Sequence, residues 1–209
     1  MEVLPWVFTS GWASGINSYL VVLMLGVLDR VFGVDAVPDV LQRTDVLVVA
    51  GILFAIESVA DKVPLLDSTW DAVHTAIRPT VGAVLGALIA ADASSVEQAL
   101  AATTGGVTAL ASHAVKAGLR AAVNTSPEPA SNIGVSLAED IGVAGVVSVA
   151  VVAPWVAAGI AAVLLVIGVV VVMLLLRRIV AWRRQRQSHR RDAGLAGRGG
   201  EAGWTNPSS

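Results

Sequence analysis

Long apolar runs separated by short polar connections dominate the chain. The run at 155–176, WVAAGIAAVLLVIGVVVVMLLL, holds no ionisable group, and about 20 mostly apolar residues suffice for a helix to cross a bilayer. Five further segments read as spans, at about 6–28, 45–63, 79–92, 97–123 and 132–153. The third is short. The stretch before it places Leu66, Trp70, Val73 and Ile77 on one side of a helix, with Asp67, Asp71, His74 and Arg78 beside them. That pattern belongs to an amphipathic helix lying at an interface or tilted into a bundle, and it would complete the span. The expected fold class is therefore all-α: a polytopic membrane helix bundle of about six spans.

Composition strengthens this reading. Of 209 residues, 55% are hydrophobic and 14% charged, against roughly 25% charged in a soluble domain, and the mean hydropathy is +0.73. The absence of cysteine excludes disulfides, thiolate metal sites and cysteine nucleophiles. MEVLPWVF lacks the basic start of a signal peptide, so the first helix is expected to be retained.

Charge is segregated. RRIVAWRRQRQSHRR follows the last span, which puts the C-terminus in the cytoplasm by the positive-inside rule. Six spans would then place both termini there, in the cell membrane. Lys62, Arg78, Lys116 and Arg120 fall near the second and fourth connections, while AADASSVEQ and VAP, the third and fifth, have no Lys or Arg. The first connection is an exception, with Arg30 and Arg43 facing Asp29, Asp35, Asp39 and Asp45. The chain divides into a helical transmembrane domain, 1–181, and a basic tail, 182–209, that lacks an apolar period and is expected to be disordered. The tail's arginines would meet anionic lipid headgroups; no folded basic surface points to nucleic acid.

An internal repeat is also expected. GWASGINSY and GGVTALASH align Gly11 with Gly105, Ser14 with Thr108, Gly15 with Ala109 and Ser18 with Ser112. With three spans in each half the two would be inverted, a common plan in secondary transporters. Small-residue helices also resemble one another for packing reasons alone.

The polar residues inside the spans carry the candidate chemistry. His113, Lys116 and Arg120 recur three and four residues apart, one stripe of a helix. They would suit an anionic group, Arg as a planar fork and Lys as a point charge. Asn17 and Asn132 join them as substrate-facing candidates, Asn17 if the small-residue first span is bent or broken. Glu57 and Asp61, one turn apart, and Glu139 and Asp140 are candidates for proton or cation coupling; the alternative for Asp61 is a solvated place at the interface beside Lys62. Helix rise sets Lys116 and Glu139 at similar depth either side of a turn near Pro127, so Lys116 and Arg120 should pair with Glu139 or Asp140. No cofactor or metal motif appears.

The segments GWASGINSY, ESVADKVPLLDSTWDAVHTAIRP and ASHAVKAGLRAAVNTSPEPASN, with SLAED closing the set, together resemble the domain of unknown function 4126 family of multi-pass membrane proteins over about residues 5–180. The resemblance implies a polytopic membrane protein and supplies no activity. The residues favour a small transporter or flippase for an anionic substrate, coupled to protons or cations; an oligomer is compatible with this. The alternative is an accessory membrane protein whose buried charges are internal ties. An enzyme ranks behind both, since WASG around Ser14 only partly matches the serine motif of intramembrane proteases that His113 would serve as base.

Overall fold

The computed structural model describes the backbone of residues 3–61, 66–123 and 129–201; the side chains of 62–68, 123–132, 179, 180 and 182–201 lie outside the described residues. Its elements are α1 (Val3–Phe32), α2 (Thr44–Ala60), α3 (Leu66–Ile89), α4 (Ser95–Val123), α5 (Pro129–Val152) and α6 (Pro154–Glu201), with a short 3₁₀ turn at Asp39–Gln42. No strand occurs among the described residues. The chain forms two compact units, Met1–Val169 and Val170–Ser209. The first contains α1 to α5 and the start of α6. In the second the backbone is helical through Glu201, where the sequence leads one to expect an unstructured tail; Arg, Gln and Ala are strong helix formers.

Local chemistry sets several boundaries. Gly33, at φ +62, ends α1 in the left-handed conformation that glycine adopts freely, and Asp29 Oδ1 receives the amide of Val34 at 3.0 Å. Ser94 and Glu97 cap each other at the start of α4: Glu97 Oε2 accepts from the Ser94 amide at 3.0 Å and Ser94 Oγ from the Glu97 amide at 3.4 Å. α3 runs unbroken through Pro79, so the short third segment is indeed completed by the amphipathic stretch before it.

α1 is the centre of the bundle, packed against α2, α3, α4 and α5. Its Trp6, Trp12, Leu20, Val21 and Leu25 share a core with Val143, Val147 and Ala150 of α5 and Ala157 and Ala161 of α6. On its other side glycines bring backbones together. A Cβ on Gly11 would stand 2.7 Å from Gly105 O, and one on Gly82 also 2.7 Å from Gly105 O, so α1, α3 and α4 meet with no side chain between them.

These contacts fix helix direction. Gly11 faces Gly105, and Gly15 faces Ala109; α1 and α4 therefore run parallel. Ser14 bonds to the Arg78 carbonyl and Tyr19 to His74, so α3 runs antiparallel to α1. An inverted repeat would set α1 and α4 in opposite directions. The aligned small residues instead face each other across one contact, which explains their likeness by packing.

Six alternating spans would also make α1 and α4 antiparallel, and the structure departs from that expectation because α2 stops halfway. α2 starts beside the C-terminal end of α1, where Arg30 bonds to Thr44 and Gly26 abuts Leu47. It ends level with the middle of α1, where Lys116 touches both Ile16 and Asp61. α6 starts with Trp155 near Val3 and Ala101 and brings Gly168 against Val115, so as far as Val169 it runs parallel to α4.

Four helical stretches among the described residues are long and apolar enough to cross a membrane: Val3–Phe32, Thr69–Ile89, Ile133–Val152 and Pro154–Arg178. α2 has only 17 residues. α4, with 29 residues, is long enough, but its Thr, Ser, His, Lys and Arg positions lower its hydropathy. Ser112, His113, Lys116 and Arg120 are buried, which is how so polar a helix sits in an apolar bundle.

Candidate functional site

The site begins with a break in the middle of α1. Asn17 leaves the helical region, at φ −149 and ψ 95. Its Oδ1 accepts the Leu20 amide at 2.9 Å, a hydrogen bond that an unbroken helix would make to Ile16 O. The side chain thus acts as an N-cap for the second half of α1 and leaves Ile16 O to Lys116 Nζ, which donates to it at 2.9 Å. Asn17 Nδ2 donates to Asp140 Oδ1, also at 2.9 Å.

Around this break α2, α3, α4 and α5 bring a charged network into an almost fully enclosed space. Lys116 Nζ donates to Asp61 Oδ2 at 2.8 Å and lies 3.6 Å from Glu139 and 3.9 Å from Glu57. Arg120 uses its fork in three directions: Nη1 to Asp61 O at 2.8 Å, Nη2 to Asp61 Oδ2 at 3.0 Å and to Glu139 Oε2 at 2.8 Å. Arg78, with no exposed surface, joins Glu57 Oε1 at 2.6 Å to Asp71 Oδ1 at 3.1 Å. Charges this deep are tolerated because each meets an opposite one.

The two histidines are fixed as acceptors by their neighbours. Arg78 Nη1, which can only donate, points at His113 Nδ1 at 2.8 Å, so the ring carries its proton on Nε2 and donates a hydrogen bond from it to Thr75 Oγ1 at 3.0 Å. His113 is therefore neutral. It positions Arg78 and adds no positive charge to the stripe it shares with Lys116 and Arg120. His74 donates from Nδ1 to Trp70 O at 2.8 Å and accepts at Nε2 from the Tyr19 hydroxyl at 3.1 Å. Tyr19 also lines an open, mostly apolar cavity of about 320 Å³ between α1, α2 and α3, with Val22, Val46 and Leu53.

Most of the residues singled out from the sequence are thus brought together: Asn17, Glu57, Asp61, His113, Lys116, Arg120, Glu139 and Asp140 form one cluster. Asn132 lies outside the described residues, as does Lys62. Asp61 is 2% exposed, which overturns its solvated place at the interface; the end of α2 stands inside the bundle. Arg120 pairs with Glu139 as expected. Lys116, however, is closest to Asp61, at 2.8 Å, because the C-cap of α2 lies inside the bundle at the level of Lys116. Sequence reasoning missed Asp71, Thr75 and Tyr19 as members. The spacing of Asp71, His74 and Arg78 on one stripe is visible in the sequence, which leaves an interfacial helix and one tilted into the bundle both open; the burial of all three favours the second.

Ser14 donates to Arg78 O at 3.1 Å, while His113 engages Arg78 and Thr75, so the two face different partners. Among the described residues no group of three or more His, Asp or Glu is gathered closely enough to hold a metal ion.

Comparison with known proteins adds one positive finding. No curated protein and no solved structure matches the chain. The family described as Domain of unknown function (DUF4126) matches residues 4–174, a stretch that holds the break at Asn17 and every member of the network, and the chain belongs to that family.

Proposed function

We propose that this protein is a small membrane transporter for an anionic substrate, coupled to protons or cations through the buried network. One observation supports the reading above others: Arg120 is shared by Asp61 and Glu139, and the Glu139 side chain, 14% exposed, is the more accessible of the two. α4 and α5 touch only slightly, so Glu139 can be reached along that seam. A proton arriving on Glu139 cancels its charge and releases one side of the guanidinium, which then offers a planar fork to a carboxylate or phosphate. Proton and anion would bind together.

The same reading gives a membrane orientation. With α2 re-entrant, the chain would cross on α1, α3, α4, α5 and α6, and an odd number of crossings would put its two ends on opposite sides. The basic tail would be cytoplasmic and the N-terminus outside. Arg30 and Arg43, the exception under six spans, then fall on the same side as the tail, and both connections without Lys or Arg fall on the other. The second reading, an accessory protein held by internal ion pairs, draws on the near-complete burial of Arg78, Lys116 and Arg120.

Flux of small carboxylates and phosphate into liposomes containing the purified protein, with and without a pH gradient, separates the two. Glu139→Gln resembles the protonated state and should leave anion flux running but no longer driven by the gradient. An absence of anion flux in the parent protein, or a variant still driven by the gradient, rules the transport reading out.

A further inference from the structure

The network has too many carboxylates. Glu57, Asp61, Asp71, Glu139 and Asp140 meet Arg78, Lys116 and Arg120, and even Lys62, outside the described residues, would leave the negative side in excess. An uncompensated charge in so dry a place is costly enough that a group neutralises instead.

The hydrogen bonds narrow where this happens. Asp61 faces two cations and accepts from both through Oδ2, so it stays ionised. Glu57 has one close cation, Arg78, which it divides with Asp71, and Lys116 stands farther off at 3.9 Å. Glu57 spends only Oε1 on Arg78. Its Oε2 is buried without a partner, and so is Asp61 Oδ1. These two bare oxygens belong to residues one helical turn apart, whose side chains are neighbours on α2. Glu139 Oε1 also lacks a partner, but Glu139 faces two cations through Oε2, Arg120 at 2.8 Å and Lys116 at 3.6 Å, and so is better matched than Glu57. From α3 and α4, His113 presents no charge and engages Arg78 from the other side, and His74 is bonded to Trp70 O and to the Tyr19 hydroxyl of α1; Ile16 O and the Asn17 amide of α1 also point inward.

We infer that Glu57 and Asp61 share one proton at neutral pH, held on Glu57 Oε2 and donated to Asp61 Oδ1. The proton neutralises the more weakly matched carboxylate and turns two bare acceptors into one hydrogen bond. The role of this pair as a coupling site rests on the transport reading above; the bound proton itself does not.

Infrared spectroscopy of the full-length protein at neutral pH tests it. A carbonyl band of a protonated carboxyl that shifts in D₂O, is lost in Glu57→Gln and survives in Glu139→Gln is the expected result. Absence of the band in the parent, or its persistence in Glu57→Gln, overturns the assignment. Thermal melting supplies a second readout. Glutamine at 57 can donate to Asp61 Oδ1 and still accept from Arg78, so Glu57→Gln should melt within about 2 °C of the parent, while Asp61→Asn, which removes the carboxylate closest to Lys116 and leaves Glu139 alone to face both Lys116 and Arg120 at short range, should melt lower. Equal losses in the two variants overturn the proposal. So does a rise in melting temperature when sodium replaces choline, seen in the parent and lost in Glu57→Gln, because the neutralising ion would then be sodium. None of these measurements depends on flux, so a failure of transport leaves them in force.

Discussion

Arg120→Lys keeps a positive charge at the heart of the network and removes its geometry. Among the described residues the guanidinium donates to Asp61 O, Asp61 Oδ2 and Glu139 Oε2, from two nitrogens set apart in a rigid plane. A lysine ammonium is a single point and keeps one carboxylate at good distance. The substitution then forfeits a bond to a neutral carbonyl, worth about 0.5–1.5 kcal/mol, and one to a carboxylate, worth about 1.5–3 kcal/mol. The total is about 2–4 kcal/mol. For a chain of this size each kcal/mol moves the melting temperature by roughly 2–4 °C, so Arg120→Lys should melt roughly 5–15 °C below the parent in detergent, read by the fluorescence of the six tryptophans. Arg120→Met should fall further, because it strands Asp61 and Glu139 as well, and Arg120→Met with Glu139→Gln should recover part of that loss. An Arg120→Lys variant that melts with the parent would show that only the charge matters and that the fork is not used.

Other outcomes follow from the same structure. Asn17→Ala loses the cap on Leu20 and the donor to Asp140, about 2–4 kcal/mol together, and Asn17→Asp should do no better because it keeps the cap but faces Asp140; a parent-like melt for the alanine variant would mean the break does not depend on this side chain. Gly15→Ala places a methyl against Ala109 O and Ser112 Oγ and should cost about 1–3 kcal/mol, whereas Gly142→Ala, in open space on α5, should be neutral or stabilising by up to about 1 kcal/mol; the reverse order of melting temperatures would refute the tight α1–α4 contact. The chain has no cysteine, so Asp35→Cys and Asp92→Cys can each be labelled singly. An impermeant thiol reagent on intact cells should reach Asp92→Cys alone, and labelling of Asp35→Cys would reverse the proposed orientation.

What the sequence could reveal depended on how far apart in the chain the cause lay. The helical nature of every segment was legible from apolar runs, and the stripe His113, Lys116, Arg120 from spacing within one helix. Glu139 was reachable because the α4–α5 hairpin is a local fold-back in which helix rise alone sets depth. The end of α2 was not, because nothing near Glu57 says that the helix stops at mid-bundle; that fact lives in the parallel packing of α1 on α4, nearly a hundred residues apart. The six-span count and the inverted repeat both assume that α1 and α4 run in opposite directions, and the parallel packing of these helices does not support them. Likewise the neutral state of His113 follows from where Arg78 points, which no spacing along one helix specifies.

The glycine contact between α1, α3 and α4 has a mechanical meaning when the charges are sorted by helix. Among the described residues the network's three cations are carried on α3 and α4, which are locked through Gly82 and Gly105. Four of the five carboxylates are carried on α2 and α5, each fastened chiefly to α1 and touching the cation-bearing helices little. The molecule is built as a stiff positive post with two negative flaps, and the salt bridges are the latches between them. Neutralising a carboxylate opens a latch without disturbing the post, so motion in this bundle is expected in α2 and α5, with the backbone at Gly105 as the fixed point about which they move.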